Sequence, residues 1–269
     1  MKASTVVVIV AFLTVAAVVG WRVYAMNNKT VNHFAVVADP SLSYSGGCES
    51  AVGSAERVLR GPGISPNSKL LFLALGDRST AYEPRELAKY DVPSSRRVME
   101  ARHANESRQA ILLRDLSAKC AAVRPTSISP IFLGVKEALA ALHTEGCGEG
   151  SRCELRVSTD LEENVEAALK NRLNNARSNT PLPPALDNAG VDVTFCGFAA
   201  TAGRIVDPTG REIRRVAGHD PAGEDRMQRV WASVFTDPER VKFEPYCPKP
   251  TNSKLYAKTG LSRTEGERP

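Results

Sequence analysis

Residues 33–38 read HFAVVA, an apolar run without alternation, and the chain continues at once into DPSLSYSGGC. A strand with one wet face alternates polar and apolar residues. One that stays apolar is covered on both faces, which is the habit of parallel sheets in α/β proteins. Residues 70–75 (LLFLAL) repeat the theme, residues 153–159 (CELRVST) and 191–198 (VDVTFCGF) are further strands, and residues 241–246 supply a last short one. Helical patterns fall between them. Residues 48–59 follow Gly46-Gly47, and Ser107 is placed to cap a helix with Leu112, Leu116, Cys120 and Val123 on one face, stopped by Pro125. Ser129-Pro130 reads as N-cap and N1 of a helix striped by Ile131, Val135, Leu139 and Leu142. Further stripes run through Val165, Leu169 and Leu173, and through Met227, Val230, Trp231 and Val234. Residues 97–103 are more polar and are expected as a strand at a sheet edge. This order predicts a doubly wound, mostly parallel sheet with helices on both faces and one antiparallel edge strand.

In open α/β sheets, ligands gather beyond the carboxyl ends of strands, where the strand order reverses. Asp39, Ser41 and Ser43 stand just past the first strand as D-x-S-x-S, and their alternation sets three oxygen-bearing side chains on one side of an extended segment. Asp160 ends RVSTD in the same way, and RPTSISPIFLGVKEAL places hydroxyls ahead of a helix. Carboxylate and hydroxyl oxygens are hard ligands that suit Mg²⁺ or Mn²⁺ better than zinc.

Together these motifs resemble the metal-binding strand ends of a von Willebrand factor A domain, and the resemblance covers residues 32–247. It implies a Rossmann-like fold with one Mg²⁺ (or Mn²⁺) per domain, held by Asp39, Ser41, Ser43 and a hydroxyl before the third helix. Ser129 fits that last position by spacing to Gly134 and Val135, in place of the family's threonine, with Thr126 as the alternative. Asp160 would reach the metal through water. Leu42 and Tyr44 stand where the family has a small residue and often Met. The resemblance also implies a protein partner whose acidic residue completes the coordination.

Residues 3–20 hold no charge and are rich in Val, Ile, Leu, Phe and Ala, long enough for a membrane helix near the lower limit. Lys2 precedes the segment, and Trp21 and Tyr24 follow it at headgroup level. Residues 3–24 are therefore expected as a transmembrane signal anchor, with the N-terminus cytoplasmic and the main domain periplasmic or extracellular. Cleavage after Val23-Tyr24-Ala25 is the competing reading, opposed by the bulk of Trp21 and Arg22. Residues 25–31 form a polar spacer, and 248–269 a flexible polar tail. Six cysteines, an even number, suit an exported domain. Cys147 and Cys153 flank a short Gly-rich loop and are the disulfide candidate; the other four allow several pairings. No CxxC pair supports a zinc site from His143, Cys147 and Cys153.

Of the formal charge of +5, residues 1–30 and 248–269 carry +3 each, which leaves −1 for the body. A near-neutral body argues against nucleic acid as partner. No G-x-S-x-G, Walker A or H-E-x-x-H is present, so an enzyme is not expected. Glu162-Glu163 is expected to complement a helix dipole. Two rivals stand beside the recognition module: a metal-free scaffold of a cell-envelope assembly with a degenerate site, and a metal-dependent hydrolase using Asp39.

Overall fold

All six residues of β1 (His33–Ala38) are buried, because the strand lies inside the sheet with a helical layer on each side. The computed structural model describes residues 31–251 apart from 42, 45, 62–63, 65–66, 77–83, 93–97, 124–127, 148–150, 164, 176–181, 199–203, 207–211 and 216–220. The expected membrane helix (3–24), Thr126 and the tail beyond 251 lie outside the described residues. Among those residues no helix is long and apolar enough to cross a membrane.

The chain runs β1, α1 (Gly47–Arg60), β2 (Lys69–Ala74), β3 (Arg85–Asp91), α2 (Val98–Ala121), α3 (Ile131–Thr144) and β4 (Cys153–Ser158). It continues through α4 (Ala167–Asn174), β5 (Val191–Cys196), β6 (Arg204–Val206), β7 (Glu212–Arg215), α5 (Pro221–Ser233) and β8 (Val241–Glu244). The main sheet has the order β3-β2-β1-β4-β5-β8, and β6 and β7 form a separate two-stranded ribbon. Every pairing in the main sheet is parallel except β2 with β3 at the edge. The doubly wound, mostly parallel sheet with one antiparallel edge strand is therefore as expected.

Alternate residues of β1 feed opposite cores. Phe34, Val36 and Ala38 pack with α1 and α2 residues such as Ala51, Leu59, Leu113 and Leu116. Ala35 and Val37 pack with Ile131, Val135, Leu169 and Trp231 from the other layer. Two buried faces make the strand apolar from Phe34 to Ala38, which is the physical content of HFAVVA. From β1, the chain winds to β2 and β3 on one side and later to β4, β5 and β8 on the other. The order therefore reverses between the carboxyl ends of β1 and β4, where Asp39 and Asp160 stand.

Two expectations are corrected. Residues 97–103 are not an edge strand; Val98 begins α2, which runs unbroken to Ala121 because no Gly or Pro interrupts it. Ser107 accordingly lies inside that helix and caps nothing. The antiparallel edge is β3, RELAKYD, whose Leu87 is buried while most of its neighbours stay in solvent. Within α2, Asn105 accepts a hydrogen bond from Tyr90 Oη at 3.1 Å.

All six cysteines are paired: Cys48–Cys120, Cys147–Cys153 and Cys196–Cys247, with sequence separations of 72, 6 and 51. The expected Cys147–Cys153 bridge is present, and Cys120 and Cys196 are disulfide partners rather than free buried thiols. Chain-entropy cost predicts about 4 kcal/mol of stabilisation for each long loop and about 2 kcal/mol for the short one. Guanidinium unfolding should therefore show Cys48→Ala/Cys120→Ala losing more free energy than Cys147→Ala/Cys153→Ala. The opposite order would contradict this account.

Candidate functional site

Three loops meet where the strand order reverses. The first leaves β1 as Asp39-Pro40-Ser41, and Asp39 is fully buried. Its Oδ1 accepts from the Ser41 amide at 3.1 Å, which folds the loop back on itself as an Asx-type turn. The Ser41 and Ser43 hydroxyls pair at 3.0 Å. Helix α1 starts directly under this loop. A Cβ at Gly47 would fall 1.8 Å from the Asp39 carbonyl oxygen, so only glycine permits that approach.

The second loop precedes α3. Ser129 is buried, and its hydroxyl donates to Asp39 Oδ1 at 3.2 Å. It is not the helix cap expected from Ser-Pro. Pro130 occupies the N-cap position with no side-chain hydrogen bond, which leaves the serine hydroxyl free to turn toward the aspartate.

The third loop follows β4. Thr159 Oγ1 donates to Asp39 Oδ2 at 2.8 Å, a residue that sequence reasoning misses. Asp160, 2% exposed, accepts from the Glu162 amide through Oδ1 at 3.0 Å. Its buried Oδ2 has no hydrogen-bond partner among the described residues. Leu161 then takes a left-handed φ of 66° while fully buried, a conformation that costs an L-residue roughly 1–2 kcal/mol. Its carbonyl accepts from Trp231 Nε1 at 3.0 Å, which fixes the bend.

Glu163 does something other than complement the dipole of its own helix. Its Oε2 accepts from the Phe132 amide at 2.6 Å, in the first turn of α3, while Oε1 accepts from Val165 and Glu166 amides at 2.7 and 3.0 Å. One buried carboxylate thus staples the Asp160 loop to the helix that follows Ser129.

The structure therefore brings Asp39, Ser41, Ser43, Ser129 and Asp160 together at one edge of the sheet. Burial raises the pKa of Asp39, while its hydrogen bonds from Thr159, Ser41 and Ser129 pull it back. Asp160 is raised to about 7, first by burial and then by the negative field of Asp39, against the pull of hydrogen bonds from Ser43 and the Glu162 amide. Tyr44, beside the site, is raised to about 12 by burial. The groups acting on the two aspartates are hydroxyls, amides and other carboxylates, none of them a cation. Among the described residues no cluster of three or more His, Cys, Asp or Glu offers a carboxylate-rich or soft metal site. The donor set is one of hydroxyls around two acids, with an orphaned carboxylate oxygen facing inward, and it fits a hard divalent cation.

No protein-family model matches this chain, and no curated protein does. Among solved structures, it is similar to an aerotolerance-related membrane protein from Bacteroides fragilis, at 14% identity over 84% of this chain and 96% of that one, with a TM-score of 0.44. It is also similar to BatB from Bacteroides thetaiotaomicron, at 14% identity over 85% and 95%, with a TM-score of 0.43. Manganese-loaded TRAP protein from Plasmodium vivax aligns at 13% identity over 77% and 74%, with a TM-score of 0.35. These are distant likenesses of fold. It is this chain's own strand order and antiparallel edge that make the fold von Willebrand A-like.

Protonation of Asp160 sets a pH dependence whose sign is fixed. Its pKa is higher folded than unfolded, so between the ordinary carboxylate value and about 7 the folded state binds more protons. Stability is then highest at acid pH and falls as pH rises through that window, by at most about 1.4 kcal/mol per unit for one group. Chemical denaturation in the presence of chelator should show that Asp160→Asn flattens the decline between roughly pH 4 and 7. An unchanged slope in the variant would contradict the assignment.

Proposed function

We propose that residues 32–247 form a recognition module that binds one Mg²⁺ or Mn²⁺ and, through it, an acidic residue of a protein partner. Asp39, Ser41, Ser43 and Ser129 would hold the ion, and Asp160 would act on it through water. The observation that carries this reading is the buried, unpartnered Oδ2 of Asp160 beside a second buried carboxylate. Two like charges out of water raise each other's cost, and a divalent cation removes that cost directly. Hydroxyls dominate the donor set, so a bound ion keeps residual positive charge and attracts a carboxylate from outside.

A metal-free scaffold is the second reading, and one feature favours it. Asp39 already accepts from Ser41, Ser129 and Thr159, and the Ser41 and Ser43 hydroxyls share one hydrogen bond. A protonated Asp160 would then neutralise the pair without metal. Titration calorimetry of the full chain in detergent separates the two. The module binds Mn²⁺ and Mg²⁺ saturably; Asp39→Ala abolishes the heat, and Ser129→Ala weakens binding about tenfold, or about 1.4 kcal/mol. No heat from the parent protein would favour the scaffold.

The same proposal places the domain outside the cytoplasm behind the 3–24 anchor. Three disulfides support it, because such bonds persist in oxidising compartments. Mass spectrometry of protein from membranes should find the N-terminus intact and no free thiol. Free thiols throughout would overturn the exported topology.

A further inference from the structure

We infer that the Cys196–Cys247 disulfide, acting through Tyr44 and Ser158, is the strut that positions both halves of the candidate cation site. What it positions rests on the cation reading proposed above; that it positions the loops rests on contacts alone. Cys196 ends β5 and is fully buried, while Cys247 follows β8 at the same edge of the sheet. The bridge they form touches residues next to two of the three ligand-bearing loops, the first and the third.

On one side is Tyr44, the residue directly after Ser43. Its hydroxyl lies 3.5 Å from Cys247 Sγ and donates to Ser50 Oγ at 3.0 Å. Its amide donates to the Ser41 carbonyl at 3.1 Å, so the ring's position fixes the turn that carries both serines. Two glycines make room for it. A Cβ at Gly47 would sit 3.0 Å from the ring, and one at Gly197 would sit 1.9 Å from the hydroxyl oxygen. Gly197 also has a φ of +103°, which a side chain would strain.

On the other side is Ser158, the residue before Thr159 and Asp160. Its Oγ lies 3.5 Å from Cys247 Sγ and 3.7 Å from Cys196 Sγ. Its carbonyl accepts from the Asp39 amide at 3.0 Å, and the Thr159 amide donates to the Cys196 carbonyl at 3.0 Å. Moving either sulfur therefore shifts the backbone of Asp39 and Thr159 together. Cys147–Cys153 lies at the opposite end of β4 and touches neither loop.

The segment after Cys247 has a second anchor. Pro248 lies against α1 where Gly53 has no side chain, and the Thr251 amide donates to Glu56 Oε2 at 2.8 Å. Loss of the disulfide should therefore loosen the site without releasing the segment from the helix.

Hydrogen–deuterium exchange on the full chain tests this without depending on metal. In Cys196→Ala/Cys247→Ala, the amides of Ser41, Tyr44 and Gly47 should exchange at least several-fold faster than in the parent. Tyr44→Phe, which keeps the disulfide, should accelerate the same amides less. Cys147→Ala/Cys153→Ala should leave them unchanged. Mn²⁺ dissociation constants should rise several-fold in the first two variants only. Unchanged exchange in the loop, or equal acceleration in both disulfide variants, would overturn the strut and leave only general stabilisation. If the Cys196→Ala/Cys247→Ala chain does not fold, Tyr44→Phe decides alone: faster loop exchange supports the strut and parental exchange overturns it. A parent protein that binds no Mn²⁺ would sink the cation reading, while the exchange result would still decide the strut.

Discussion

Burying two carboxylates side by side is the costly feature around which the rest of this domain is arranged. Asp39 and Asp160 end neighbouring parallel strands at the one place where the sheet's winding changes direction. Among the described residues, no cation acts on either. Desolvation favours protonation of both, and at Asp160 the field of Asp39 adds to it; hydrogen bonds from Ser41, Ser129 and Thr159 resist it at Asp39, and those from Ser43 and the Glu162 amide resist it at Asp160. Such an arrangement persists because the surrounding fold over-determines it.

The means are visible in the loops. Each is tied to a different element: the first to Ser158 and to the start of α1, the second to Asp39 through Ser129, and the third to Trp231 and to α3 through Glu163. The left-handed Leu161 stores strain at the bend, as residues beside functional sites often do. Close approaches at Gly47 and Gly197 let Tyr44 fill the space that a smaller residue would leave open. These ties fix oxygen positions before any ligand arrives, which lowers the ordering cost of binding.

Much of this was legible in the chain because burial writes directly into sequence. HFAVVA shows a strand covered on both faces, whereas CELRVS alternates and hides its second buried face behind the Glu154–Arg156 ion pair; Asp39 and Asp160 beyond their ends mark the crevice. The edge strand RELAKYD hides for the opposite reason: an edge exposes charge, and its one buried leucine gives no pattern. Helix α2 is longer than its clear stripe, since its first turns show no apolar face. Ser129 carries an N-cap signature, yet its hydroxyl turns to Asp39, a choice made by tertiary contact rather than local propensity. Thr159 looks like a turn residue; the signal that finds it is the hydroxyl directly before the second aspartate. The Cys48–Cys120 and Cys196–Cys247 pairings depend on which helix and strand ends meet in three dimensions, and spacing alone does not carry that.

The account rests on the acidic pair being a cation site rather than a proton-sharing pair. A crystal structure of the chain grown with Mn²⁺, with diffraction recorded at the manganese absorption edge, tests this most directly. The account predicts one anomalous peak at the edge of the sheet, between Asp39 and Asp160 and in contact with the Ser41, Ser43 and Ser129 hydroxyls. An empty crevice at saturating Mn²⁺, with the two carboxylates drawn into hydrogen-bond distance, would contradict it.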